Sequence, residues 1–234
     1  MRMNTESNPF DLIVVGAGVL GTFHAYHAER RGLKVALVER NSAPRDATVR
    51  NFGQVVPSGM DQQWQTFGRE SLSIYKSIQD QFDFSVRNQG SIYLASDDEE
   101  LGLLEELAEI NADSGYPSKL WTVPQCVSRY PNLRTDYCRG GLYFPDEVSV
   151  NPRQMIHRLH QFLAERPGFH GHFDTNVGDL QVCSDGRVQA ITTCGKQMIA
   201  DKAIVCCGTE FKTLFPDLFC QSDLVAVKLQ MLRL

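Results

Sequence analysis

Six consecutive residues, Gly16-Ala17-Gly18-Val19-Leu20-Gly21, carry glycine at their first, third and sixth positions. That spacing suits a backbone that must wrap an anion. Gly16 permits a tight turn, Gly18 lets the main chain approach a pyrophosphate, and Gly21 lets the following helix pack on the preceding strand. The N-terminus of such a helix adds unpaired N–H groups and a positive dipole end. Glu39 lies 18 positions after Gly21 (39 − 21), close to the roughly 20 at which a carboxylate meets ribose hydroxyls. A carboxylate there disfavours a 2′-phosphate, which argues against NADP. The pattern says dinucleotide but does not choose between FAD and NAD.

The flanking elements fit that chemistry. Asp11 to Val15 is a short β-branched run that reads as a strand buried on both faces. Thr22 to Arg31 reads as a helix with Gly32 at its C-cap, and Lys34 to Val38 as a second strand parallel to the first. Further on, Asp61 to Phe82 predicts a long helix with Trp64, Phe67, Leu72, Tyr75, Ile78 and Phe82 on one face. Ser91 to Ala95 predicts a strand, and Asp97 to Asn111 a helix with Leu101, Leu104, Leu107 and Ala108 on one side. Asn151-Pro152 reads as an N-cap and first helical residue. From Phe169 the period becomes two, predicting strands near 169–175, 179–183, 187–193 and 196–200, then a separate buried strand over Ala203 to Gly208. Asp223 to Leu234 reads as a strand.

Composition excludes several classes. The chain has 234 residues, 42% hydrophobic and 22% charged, with a net charge of −5. It is not low-complexity, has ample length for a core, and has no basic field to attract nucleic acid. The longest apolar run, Leu12 to Gly21, is half of what a membrane helix needs, so no transmembrane segment is expected. The seven cysteines are odd in number and lack C-x-x-C spacing, which reads as free thiols in a reducing cytoplasm. His157 and His160 sit one turn apart without a third ligand, so no metal is expected, and Cys206 and Cys207 read as packing residues in a buried strand.

The chain resembles the FAD-dependent oxidoreductases typified by D-amino-acid oxidase, sarcosine oxidase and glycine oxidase. Gly16, Gly18 and Gly21 with Glu39-Arg40 match that family's adenosine-pyrophosphate site. Thr48-Val49-Arg50-Asn51-Phe52-Gly53-Gln54 stands where the family runs along the flavin, and Gly140-Gly141-Leu142-Tyr143 through Val150-Asn151-Pro152 resembles its entry to a helix, with Asn151 replacing Asp. The resemblance implies that the backbone near Val177 meets adenine, that Gly208 lies near the cofactor, and that Asn51, Phe52 and Gly53 run beside the flavin. A narrower resemblance, carried by Val49 to Met60 and Lys228 to Arg233, is to bacterial members associated with phosphonate breakdown. It implies a small aminophosphonate as substrate.

These readings combine into an α/β fold: a Rossmann-like FAD-binding domain (1–84 and 145–222) with an inserted, incomplete antiparallel-sheet substrate domain (85–144 and 223–234). The implied activity is oxidation of a small primary or secondary amine by hydride transfer to FAD, with oxygen or a quinone as electron acceptor. Arg50 is an anion clamp for a carboxylate or phosphonate, or equally a salt-bridge or FAD-phosphate partner. Gln54 and Ser58 are polar substrate contacts or water-facing loop residues. Lys228 and Gln230 share one face of the expected last strand and Arg233 follows on that strand, each lining a substrate cavity or facing solvent. Family members continue beyond Leu234 with a glycine-rich segment that closes over FAD. A truncated, inactive dinucleotide-binding fragment is therefore one alternative, and an NAD-dependent dehydrogenase, which needs a second βαβ half, is another.

Overall fold

The computed structural model describes residues 9–210, 212–225 and 227. In chain order these form β1 (Phe10–Val15), α1 (Val19–Glu29), β2 (Val35–Val38), β3 (Gln54–Val55), α2 (Gln62–Gln81), β4 (Ser91–Ala95), α3 (Asp98–Ser114), β5 (Lys119–Trp121), α4 (Val123–Arg129), β6 (Gly140–Phe144), β7 (Val148–Ser149), α5 (Pro152–Ala164), β8 (Phe169–His172), β9 (Val177–Val182), β10 (Val188–Thr192), β11 (Gln197–Val205) and α6 (Pro216–Cys220). They divide into two compact units, Met1–Asn51 with Pro152–Leu234, and Phe52–Asn151.

The first unit is built on a six-stranded sheet of order β8-β2-β1-β11-β10-β9. β8, β2, β1 and β11 are mutually parallel where they pair, and β10 and β9 continue antiparallel. Ile13, Val14, Val35, Ala36 and Leu37 have no exposed surface, which explains why both strands are apolar without alternation. The register is the feature that matters for function. Val15 stands opposite both Val38 and Val205. The three central strands thus end level, and Gly16, Glu39 and Cys206 leave the sheet side by side. Beyond β11 the sheet runs as an antiparallel meander, and no second βαβ half forms among the described residues.

Two expectations for this unit need correction. The strands expected at 196–200 and 203–208 are one strand, β11, which pairs antiparallel with β10 over 197–200 and parallel with β1 over 200–205. Asp201 and Lys202 resemble a turn in polarity, but neither takes a positive φ, so the chain stays extended through them. The strand also stops at Val205. Cys206 and Cys207 therefore lie past its end and not within it. A smaller shift affects α1, which starts at Val19 because the glycine-rich turn winds directly into the helix.

In the second unit β4, β6 and β5 make a three-stranded antiparallel sheet. Helix α3 packs on it, with Leu104, Leu107 and Ala108 against Tyr116, Leu142 and Phe144. Asp97 caps α3 by accepting from Glu100 N–H at 2.8 Å, and Gly115 ends it in the left-handed conformation at φ 65°. Asp61 caps α2 in the same way. The expected single apolar face of α2 holds for Leu72 and Ile78, which are buried, but Trp64 and Phe67 are 61% and 54% exposed. Residues 223–225 and 227 form no strand, and the remainder of the strand expected there falls outside the described residues. No described helix is long and apolar enough to cross a membrane.

Candidate functional site

The level ends of β1, β2 and β11 open onto a cleft of about 520 Å³ in the first unit, within the size range of small-molecule sites. Gly16, Gly18, Val19, Glu39, Arg40, Asn51, Val177 and Gly208 all line it. These residues come from four sequence-distant segments. Gly16 holds φ 102°, and a β-carbon there would lie 2.3 Å from Cys206 O. A β-carbon on Gly21 would lie 1.8 Å from Gly16 O, so Gly21 is excluded from any larger residue by its own turn. Gly18 differs. A β-carbon there would meet only Thr48 Oγ1, at 3.0 Å, so its lack of a side chain keeps open space at the cleft. The cradle fits a pyrophosphate: small residues face it, and the first turn of α1 begins on it.

Glu39 is 8% exposed. Its Oε2 accepts from Ala17 N–H at 3.0 Å, and its Oε1 accepts from Asn41 N–H at 3.0 Å and Asn41 Nδ2 at 3.2 Å. A carboxylate offers about four acceptor directions, so these donors orient the group and leave it able to accept from a ligand. The backbone of Glu39 also accepts from Thr175 N–H at 2.9 Å, which ties the approach to β9 against the end of β2. Val177 is thereby held at the cleft wall, buried in the sheet core. Arg40 donates to Glu210 at 2.8 Å, with Asp46 at 3.8 Å. That hydrogen bond holds the Glu210 carboxyl below its ordinary range and the guanidinium above its own. Gly208 takes φ 62° with open space around it. Burial pushes the Cys206 and Cys207 thiols up, which keeps them neutral.

Arg50 is exposed and does not line the cleft. Phe52, Gly53, Gln54 and Ser58 belong to the second unit. There Phe52 is 78% exposed, Gly53 O accepts from Val150 N–H at 2.7 Å, and Gln54 pairs with Ser149 in the β3–β7 ladder. Ser58 is buried: its N–H donates to Glu147 Oε1 at 2.8 Å and its hydroxyl to Tyr93 Oη at 2.9 Å. Glu147, with no exposed surface, also accepts from Tyr116 Oη at 2.8 Å and from Ser91 Oγ. Gln230, with Lys228 and Arg233, falls outside the described residues. No cluster of three or more potential metal ligands occurs among the described residues.

Three residues make contacts around the glycine-rich turn that the sequence reading did not foresee. Thr48 Oγ1 accepts from Val19 N–H at 3.0 Å. Thr22 Oγ1 donates to Ala17 O at 3.0 Å. His160 Nε2 lies 2.9 Å from Thr22 Oγ1. A signal for His160 existed. Ile156, Leu159 and Leu163 form the buried stripe of α5, and position 160 falls within that stripe by helical spacing. A histidine on an otherwise apolar face asks for a partner.

The sequence model of the family described as FAD dependent oxidoreductase, DAO, matches residues 11–234. A D-amino acid dehydrogenase of Vibrio cholerae is 27% identical over 148 residues, covering 62% of this chain and 35% of that protein. The fold matches glycine oxidase from Geobacillus kaustophilus with a TM-score of 0.77 at 19% identity, over 88% of this chain and 57% of that one. It matches L-amino acid deaminase from Proteus vulgaris, lacking its specific insertion, with a TM-score of 0.80 at 19% identity, over 94% and 59%. The chain thus spans about a third of the matched dehydrogenase's length and somewhat more than half of the two solved proteins. With residues 11–234 matched, nearly its whole length, the chain belongs to the FAD dependent oxidoreductase family, DAO.

Proposed function

We propose that the first unit holds FAD and that the chain serves a flavin-dependent oxidation of a small primary or secondary amine, an amino acid or an aminophosphonate. The observation that carries this is the common register of β1, β2 and β11, which gathers Gly16, Gly18, Glu39 and Gly208 on one cleft. FAD, when bound, supplies the acceptor for the hydride leaving the carbon next to the amine nitrogen. Gly18 and the first turn of α1 take the pyrophosphate, and Glu39 accepts from the ribose. The backbone at Val177 meets adenine, Gly208 allows close approach, and Arg40 and Asn51 complete the wall.

Substrate assignments rest on chemistry and resemblance. Arg50, exposed and outside the cleft, is assigned the substrate's carboxylate or phosphonate, since a guanidinium holds either anion bidentately. Gln54, Ser58 and Gln230 are assigned polar substrate contacts, and Phe52 and Gly53 the flavin side. An aminophosphonate is favoured by the stretch Val49 to Met60. Named relatives act on D-amino acids and glycine, which supports an amine. Oxygen or a quinone is proposed as the final electron acceptor. The first unit is proposed as the FAD-binding part and the second as part of the substrate-facing region.

The test is FAD retention by the purified chain, read from its visible spectrum after gel filtration, beside Gly18→Val. A β-carbon at that position meets only the Thr48 hydroxyl in the protein itself, and the valine side chain occupies space that a pyrophosphate needs. Wild type is expected to retain FAD, and Gly18→Val to bind it at least about 100-fold more weakly, roughly 2.7 kcal/mol. Equal retention by both, or enhancement of NADH fluorescence without flavin uptake, overturns the assignment.

A further inference from the structure

The glycine-rich turn has a buried underside that the proposed contacts to FAD do not use. Thr22 has no exposed surface, and its hydroxyl donates to Ala17 O at 3.0 Å. His160 Nε2 lies 2.9 Å from that hydroxyl oxygen and 3.2 Å from Ala17 O. A hydroxyl has one proton to give. With that proton on Ala17 O, the Thr22 oxygen faces His160 as an acceptor. A carbonyl oxygen is an acceptor only, so the contact at 3.2 Å makes the same demand. Both contacts assign the proton of the neutral ring to Nε2 and leave Nδ1 bare.

The imidazole is braced around this contact. The Phe173 ring packs 5.1 Å from it at 58°. Helix α5, which carries His160, packs against α1 and against the 47–49 turn, whose Thr48 hydroxyl accepts from Val19 N–H. Ala17 is gripped from its other end as well, since its N–H donates to Glu39. The Ala17–Gly18 peptide is planar and trans, so its C=O and N–H point opposite ways. Drawing Ala17 O toward Thr22 and His160 turns the Gly18 N–H away from them, and Gly18 lines the cleft.

We propose that His160 is a positioning residue for the dinucleotide: through Thr22 and Ala17 it sets the direction of the Gly18 amide offered to the pyrophosphate. The proposal rests on the reading of this cleft as the FAD site. His160 does not itself touch the ligand.

Two variants separate positioning from packing. His160→Phe keeps a ring against Phe173 but has no donor. His160→Gln restores an N–H donor at similar reach. FAD affinity is measured by quenching of flavin fluorescence, with the melting temperature of the cofactor-free protein beside it. Loss of about tenfold in affinity is expected for His160→Phe, the weight of one hydrogen bond, with His160→Gln within a few-fold of wild type. FAD binding by His160→Phe equal to wild type overturns the proposal, as does equal weakening in both variants. If His160→Phe does not fold, Thr22→Val against Thr22→Ser gives the same contrast, with weakening expected only in the valine variant and equal affinities counting against the proposal. Nitrogen NMR of the ring is expected to show a protonated Nε2 and a bare Nδ1, and the reverse tautomer overturns the assignment. Absence of FAD binding by wild type itself overturns the reading of the cleft, and this proposal with it.

Discussion

Gly16, Gly18 and Gly21 share one motif but do different work. A β-carbon at Gly16 or Gly21 collides with backbone oxygen, whereas one at Gly18 meets only a movable hydroxyl. The spacing of these glycines was plain in the sequence, as was Glu39. Thr22 and His160, 138 residues apart, were not, because nothing local marks their contact. His160 also has a consequence for pH. Burial is the main cause that pushes its pKa down to about 4. His157 adds to the shift, while the Ala17 carbonyl and Glu39 oppose it. The unfolded chain takes up this proton near the ordinary value of about 6.5, so between about 6.5 and 4 the unfolded state binds more protons. Stability therefore falls as pH drops through that window, by up to about 3 kcal/mol from this residue. Chemical denaturation at several pH values is expected to show a shallower acid slope in His160→Gln than in wild type. Identical slopes count against a neutral buried imidazole.

Among elements, the strand–turn–helix opening was legible because apolar runs and glycine spacing are local signals. α5 was legible from Asn151-Pro152, and α2 from its apolar period. Others were hidden. α4 has only seven residues, with Thr122 N–H donating to Gln125 Oε1 at its start, and β5 has three residues, two of them exposed. β11 was split in two because its sequence changes character where its partner changes from β10 to β1, and a change of partner leaves no turn residue behind. The close fit of α1 on β1 makes a specific demand. Gly21→Ala places a methyl 1.8 Å from Gly16 O, so the helix start must shift. Overpacking of this kind costs about 3 kcal/mol. A lowered unfolding midpoint in urea, together with loss of FAD uptake, is expected. A midpoint equal to that of wild type counts against the tight junction.

Across the whole molecule, the cleft draws on residues near 16–21, 38–51, 175–177 and 206–210. Hydrogen exchange with and without FAD is expected to show slowed exchange in all four segments at once. Protection confined to 16–21 counts against a shared site. The chain's own residues dictated a dinucleotide turn, its helix and its neighbouring strands, because glycine spacing, capping and apolar period act over a few residues each. The resemblance to a known family extended that to FAD. Tertiary structure gathered Gly208 and Val177 with Glu39 on one cleft, where the resemblance had set them by the cofactor, and it alone showed that Ser58 donates to Glu147 and Tyr93 and that His160 on α5 lies against Thr22 and Ala17 beneath the turn. Those outcomes depend on sheet register and on helices packed from distant parts of the chain, and only the assembled structure sets such contacts.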